Sequence, residues 1–232
     1  MFKKYFSFSI NQDVLKIYAL IAMTVDHYAM IFSPHYAKIC RIYGRFAFPI
    51  FSFLIMYHLA EKQIFKKYIT RLSIFGVLSA LVVFPFQTTF SLNIFFTFLW
   101  PIISLYLFKQ INNDKMPTFV KIYLYALTIV IMASLSCLSS YFLYGYFYLL
   151  GLYFFLRKPN CFLYIAVLAL AFFMNYDDIW GIWGMITSCL TTFLLLQIDM
   201  GKKYPRLLSI RYFFYFYYPF HLFCLYIIKT FI

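Results

Sequence analysis

Hydrophobic positions along this chain form long unbroken segments, and polar positions are confined to the short intervals between them. Each segment approaches the ~20 residues that a membrane-spanning helix needs, and the segments are apolar on all sides instead of alternating like the strands of a barrel. The pattern therefore predicts an all-α, polytopic transmembrane helical bundle that forms a single integral-membrane domain over residues 1–232. Its helices are predicted at about 13–33, 43–60, 67–86, 92–109, 118–137, 141–157, 160–174, 179–198 and 212–230.

Composition separates this chain from soluble proteins. Hydrophobic residues make up 65% of it and charged residues 12%, whereas about 25% of a typical soluble domain is charged. The formal net charge of +13 would suit a nucleic-acid partner, but the basic residues are scattered between apolar segments and form no recognised nucleic-acid motif. We therefore expect a multi-pass membrane protein that contacts membrane lipid, binds no nucleic acid and holds no metal.

The placement of lysine and arginine orients the predicted helices. If the N-terminus lies in the cytosol, the cytosolic intervals and the helix ends next to them hold 15 of the 20 basic residues, and those on the other side hold four. Cytosolic loops of membrane proteins are enriched in basic residues. The bias therefore predicts a cytosolic N-terminus.

An ionisable pair, Asp26 and His27, lies inside the first predicted helix. An aspartate at the centre of a membrane helix costs roughly 2.5–3.5 kcal/mol on insertion scales, which makes it a candidate for function. Asp26 is predicted to lie ~20 Å from the cytosolic end, and His221 of the last helix ~15 Å from it. Arg45 enters the second predicted helix from the opposite side. Depth alone therefore allows these four residues to form one cluster.

A histidine is the usual general base at neutral pH, because its unperturbed pKa is near 6.5. A carboxylate can orient that histidine, and an arginine can neutralise the carboxylate or stabilise an oxyanion. These groups suit acyl transfer without a protein nucleophile. Two interpretations stay open for Asp26, which either orients His27 or pairs with Arg45 or Lys16 to make burial tolerable. The base is either His27 or His221.

The densest basic stretch, residues 61–71, lies on the predicted cytosolic side. A phosphate-bearing donor such as an acyl-CoA would find cationic partners there, with Arg71 a little inside the third predicted helix. The positive-inside bias and contact with anionic lipid explain most of the stretch without any ligand. Of the two remaining histidines, we expect His58 to be interfacial and His35 to have no special role.

Five motifs follow one another along the chain. They are LKIYAL leading to MTVDH in 15–27, IYGRFAFPIFSF in 42–53, KYITRL in 67–72, LNIFFT in 92–97 and FYFYYPFHL in 214–222. In composition and order they resemble the TraX family. The resemblance extends over nearly the whole chain and leaves the region 159–200 unmatched.

The resemblance implies an acetyltransferase of the bacterial inner (cytoplasmic) membrane that uses acetyl-CoA as acyl donor. The acceptor would be a pilin amine or an envelope glycan. By the same resemblance His27 would be the base, Asp26 its partner and His221 a supporting catalytic residue. The donor-binding residues would come from the matched motifs, namely Arg45, Arg71, Lys67 and Asn93.

Two non-enzymatic functions are compatible with the same hydrophobic pattern. One is a membrane scaffold for pilus assembly, and the other is a small transporter. Transporters more often contain repeated halves with broken helices, and no internal repeat is visible here. A scaffold has no need of a buried Asp–His pair. We therefore expect acetyl transfer.

Overall fold

The computed structural model of the protein describes residues 9–32, 37–86, 92–176, 181–200 and 213–231. Within these ranges the chain forms ten α-helices and no strand, which confirms the predicted all-α class. The helices are Gln12–Phe32 (α1), Ala37–Gly44 (α2), Ala47–Lys62 (α3), Phe65–Val83 (α4), Ile94–Asn113 (α5), Thr118–Ser136 (α6), Phe142–Arg157 (α7), Cys161–Phe173 (α8), Gly181–Leu196 (α9) and Phe213–Phe231 (α10).

The second predicted helix is wrong at its start. A separate helix, α2, precedes α3, and the two are joined by a turn at Arg45 and Phe46. Pro49 favours the break, because it has no N–H to donate to the Arg45 carbonyl and so removes one hydrogen bond of a continuous helix. The other eight predicted helices correspond to α1 and α4–α10 within a few residues.

Several sequence predictions fall outside the described residues. They concern His35 and the four basic residues between 201 and 212 that belong to the cytosolic count. For these positions the expectations from the sequence remain predictions.

Contacts between helix ends agree with the predicted alternation of the chain. At one end, Leu92 N–H donates to the Leu138 carbonyl over 2.8 Å, which joins two intervals predicted on the same side. At the other end, Lys109 donates to Gln63 over 2.7 Å and joins two intervals predicted to be cytosolic. Intervals predicted on the same side thus lie together, as an up-and-down bundle requires.

Four helical stretches of the described chain are long and apolar enough to cross a membrane. They are Gln12–Phe32, Ile39–Lys62, Ile94–Asn113 and Thr118–Ser136. The last of these, α6, has only three buried residues, Thr128, Ala133 and Ser136, and presents large apolar side chains such as Phe119 outward. An apolar surface of that extent is stable against lipid and not against water. The protein is therefore a membrane protein, while nine crossings and a cytosolic N-terminus stay predictions.

Hydroxyl and amide groups cross-link the helices in the interior. Ser104 of α5 hydrogen bonds to Tyr146 of α7 at 2.8 Å, and Tyr148 of α7 to Thr192 of α9 at 3.0 Å. All four side chains are buried, so the pairs satisfy polar groups that would otherwise be costly within a bilayer. This interlocked core of α3, α5, α7 and α9 supports the wall against which α1 and α10 bring the candidate site together.

Candidate functional site

Two histidines from opposite ends of the sequence meet where α1 packs against α10. His27 Nδ1 lies 2.8 Å from His221 Nε2, and the ring centroids are 5.1 Å apart with 11° between the planes. His221 is buried and His27 is partly buried. The structure thus brings together the two histidines that the sequence placed at overlapping depths.

A backbone carbonyl fixes the direction of this hydrogen bond. His221 Nδ1 lies 2.8 Å from the Tyr217 carbonyl oxygen, one turn earlier on α10. A carbonyl oxygen only accepts, so His221 Nδ1 must carry a hydrogen, and in the neutral ring Nε2 is then an acceptor. His27 Nδ1–H consequently donates to His221. The neutral pair leaves His27 Nε2 unprotonated, as a general base requires.

Further contacts fix the orientation of both rings. Tyr217 stacks on His221 with centroids 5.1 Å apart, and its hydroxyl hydrogen bonds to Thr24 of α1 at 2.8 Å. Tyr218 meets the ring of His27 edge-on at 6.0 Å and that of His221 at 5.6 Å. The successive tyrosines of α10 therefore hold the histidine pair from two sides.

Asp26 packs against Gly44, the last residue of α2. A Cβ built on Gly44 would overlap the Cβ of Asp26, so the glycine lies directly against this side chain. Asp26 also interacts electrostatically with the hydroxyls of Tyr141 and Tyr218. The ring of His27 is bonded to His221 instead. Lys16 forms its ion pair with Asp13, at 2.8 Å.

Arg45 lies in the turn between α2 and α3 and lines the same cavity as Asp26. Its guanidinium is within hydrogen-bonding reach of Tyr141. Gly184 of α9 packs against the arginine, since a Cβ there would be in van der Waals contact with Arg45 Cγ at 3.6 Å. Arg41, one turn earlier, also lines the cavity, and both arginines act electrostatically on His27. Two guanidinium groups therefore lie near His27.

A cavity of about 430 Å³ connects this site to the opposite end of the bundle. Its volume is within the usual range for small-molecule sites. Along α1 its wall runs from Lys16 to His27, a distance of ~16 Å at 1.5 Å per residue. Along α3 it runs from Ala47 to His58, which is about as far. The cavity is therefore elongated and follows the helix axes.

The end of the cavity that is predicted to face the cytosol is cationic and aromatic. Lys16 lies 5.2 Å above the centroid of the Phe214 ring, and Arg71 and Tyr68 of α4 complete the wall. His58 also lines this end, and its Nδ1 lies 2.8 Å from the Leu54 carbonyl. His58 thus lines the cavity, which the sequence did not predict.

Two residues expected to bind the donor lie elsewhere. Lys67 is exposed and is not among the residues that line the cavity. Asn93 caps α5, where its side chain accepts from the Phe95 N–H at 3.1 Å and donates to the Gly76 carbonyl at 2.8 Å. Its side-chain contacts are therefore those of a structural residue that ties α4 to α5.

Sequence reasoning missed three residues of the site, Arg41, Tyr141 and Tyr218. Arg41 could have been found from its four-residue spacing to Arg45, which places both on one face of a helix. Tyr218 lay in a motif already noted, but its hydroxyl was not distinguished from those of neighbouring tyrosines. Tyr141 follows an uncharged interval and has no local signal.

Comparisons with known proteins agree with the motifs. The sequence model of the TraX protein family matches residues 11–229. The uncharacterized protein RP591 of Rickettsia prowazekii (strain Madrid E) is 42% identical over 67 residues, which are 29% of this chain. That match spans 25% of the length of RP591. No solved structure matches the chain. Because the family match extends over most of the sequence, this chain belongs to the TraX family.

Proposed function

We propose that this protein is an acetyltransferase of the bacterial cytoplasmic membrane, which transfers an acetyl group from acetyl-CoA to an amine or hydroxyl acceptor. The observation that supports it most is the elongated cavity, which has His27 at one end and Lys16 with Arg71 at the other. The phosphates of acetyl-CoA are suited to the cationic end. The narrow pantetheine arm is suited to the space between the two ends.

The reaction at the His27 end is a direct displacement. His27 Nε2 takes a proton from the acceptor N–H or O–H while the acceptor atom bonds to the thioester carbonyl carbon. The C–S bond then breaks, the acetyl group stays on the acceptor, and the departing thiolate takes the proton from His27. Arg45 stabilises the negative charge that develops on the carbonyl oxygen between these two steps.

His221 and Asp26 have separate tasks in this scheme. His221 accepts the Nδ1–H of His27, so it holds the tautomer that leaves Nε2 basic and stabilises the ring once it is protonated. Asp26 lies with Arg45 in the cavity wall and balances the positive charge of the two arginines there. His27 is therefore the base and His221 its positioning residue.

The test of this function is acetyl-CoA turnover by the purified full-length protein in neutral detergent. We expect Arg71→Gln to raise the KM for acetyl-CoA by about tenfold or more, because a charge-assisted hydrogen bond to phosphate is lost. The kcat should change little. Lys115→Gln, which removes an exposed cation from the same predicted side, is the matched control and should leave both constants unchanged. Absence of acetyl-CoA binding and turnover in the parent would favour a scaffold or a transporter.

The hydrogen-bond chain predicts different outcomes for two substitutions of His221. His221→Leu removes the acceptor for His27 Nδ1–H and should lower kcat by about 10²-fold, the usual cost of misplacing a reacting group by 1 Å. His221→Gln keeps an oxygen that can accept this hydrogen bond and should restore part of the rate. The KM for acetyl-CoA should stay the same in both. Equal rates in the two variants would contradict the positioning role.

A further inference from the structure

Arginines dominate the charged groups at the His27 end of the cavity. Of the described residues that line the cavity, four are cationic, Lys16, Arg41, Arg45 and Arg71, and one is a carboxylate, Asp26. Lys16 has its own ion pair with Asp13, and Arg71 lies at the donor end. The wall around His27 therefore contains two guanidinium groups and one carboxylate.

The position of Arg41 suggests a task different from that of Arg45. It precedes Arg45 by four residues on the segment that runs from the predicted outer side towards the cytosolic end, so it lies further outward than Arg45. An acceptor that enters from outside would meet Arg41 before it reaches the thioester. Arg45, closer to Tyr141 and Gly184, lies deeper in the bundle.

We propose that Arg41 binds an anionic group of the acceptor, so that the substrate is a hydroxyl-bearing glycan or lipid that carries a carboxylate or a phosphate. A guanidinium presents a planar fork of donors that matches either group. Since Arg41 and His27 line the same cavity, an anion bound to Arg41 would place a neighbouring hydroxyl near the base. An acceptor ammonium would be repelled by the same pair of arginines. This inference rests on the proposed function for the place of the thioester.

Binding of matched amphiphiles tests the anion site without requiring turnover. The probes are octyl glucoside, octyl glucuronide and octyl glucoside 6-phosphate, titrated into the full-length protein in dodecyl maltoside. We expect an anionic probe to bind about tenfold or more tightly than the neutral one, as a charge-assisted hydrogen bond requires. The tighter of the two anionic probes identifies carboxylate or phosphate as the preferred group.

Variants assign the preference to one side chain. In Arg41→Gln, the Kd of the neutral probe divided by the Kd of the anionic probe should fall to about one. Arg41→Lys should retain part of the preference for the anionic probe, because the charge remains. Lys229→Gln removes an exposed cation of α10 that lies on the same predicted side of the membrane as Arg41. This variant should keep the parent ratio. Thermal unfolding of each variant checks that it is folded. Equal affinities in the parent, or a preference that survives Arg41→Gln, would overturn the proposal.

Acetyl transfer to the same probes separates this inference from the proposed function. Consumption of acetyl-CoA with no preference among the probes would refute the anion site and leave the acetyltransferase intact. An anion preference in binding with no consumption of acetyl-CoA would refute the acetyltransferase and leave the anion site intact.

Discussion

Replacing His27 with glutamine is expected to lower acetyl transfer by about 10²–10⁴-fold, the contribution usual for a general base. Glutamine can still donate to His221, so the contact between α1 and α10 is kept, but it has no basic nitrogen to take the acceptor proton. The loss should therefore appear in kcat. Binding of acetyl-CoA should be unchanged, because the cationic groups proposed to hold its phosphates lie ~16 Å away along α1.

The measurement pairs isothermal titration with acetyl-CoA and a thiol-release assay on the same preparation. Tyr28→Phe is the matched control, since Tyr28 adjoins His27 on α1 but is 53% exposed on the outer face and should leave the rate unaltered. A His27→Gln protein that transfers acetyl groups at the parent rate would remove His27 from the mechanism. If the variant also loses acetyl-CoA binding, acetyl-CoA does not bind in the position that the proposed scheme gives it.

Helix positions and the grouping of polar residues could be predicted because both follow from one-dimensional properties of the chain. A run of apolar residues near 20 in length predicts a helix in lipid wherever it occurs, since backbone groups there must bond within their own segment. Residue counts along two such helices gave similar depths for His27 and His221. The structure joins them at 2.8 Å.

Rotation of one helix about its axis relative to another could not be predicted, and it decides which partners meet. Adjacent residues on a helix point about 100° apart, so Asp26 and His27 necessarily face different neighbours. Which neighbours these are depends on how Gly44 and Tyr217 pack against α1. The tautomer of His27 depends in turn on a carbonyl of α10, which no residue type encodes.

The break between α2 and α3 is a further example of local chemistry that hydrophobicity hides. Residues 42–53 are mostly apolar and give the pattern of one helix that starts at about 43. Pro49 instead interrupts the hydrogen-bond ladder and leaves Arg45 in a turn. That turn places Arg45 in the wall of the cavity that Asp26 also lines. Proline position therefore matters more to this site than the hydrophobic pattern does.

Gly44→Ala is expected to destabilise the protein by about 1–3 kcal/mol, the usual cost of overpacking a close contact. The added methyl group would overlap the Cβ of Asp26, which cannot rotate away because it is fixed to the backbone of α1. Alanine would gain up to about 1 kcal/mol of helix propensity over glycine, which is less than the steric cost expected here. The helix α2 must therefore move away from α1.

Gly181→Ala is the matched control for this substitution, because a Cβ on Gly181 meets no atom of the described residues within 4 Å. Thermal unfolding in detergent should show a lower Tm for Gly44→Ala and a change within about 0.5 kcal/mol for Gly181→Ala. Acetyl transfer by Gly44→Ala should fall together with the Tm, since the movement of α2 displaces Arg41 and Arg45 from His27. Equal Tm values for the two variants would mean that α1 and α2 are not packed at Gly44 as described. A lower Tm with an unchanged rate would mean instead that neither arginine acts in the reaction, so the two readouts separate the packing of α2 from the chemistry assigned to it.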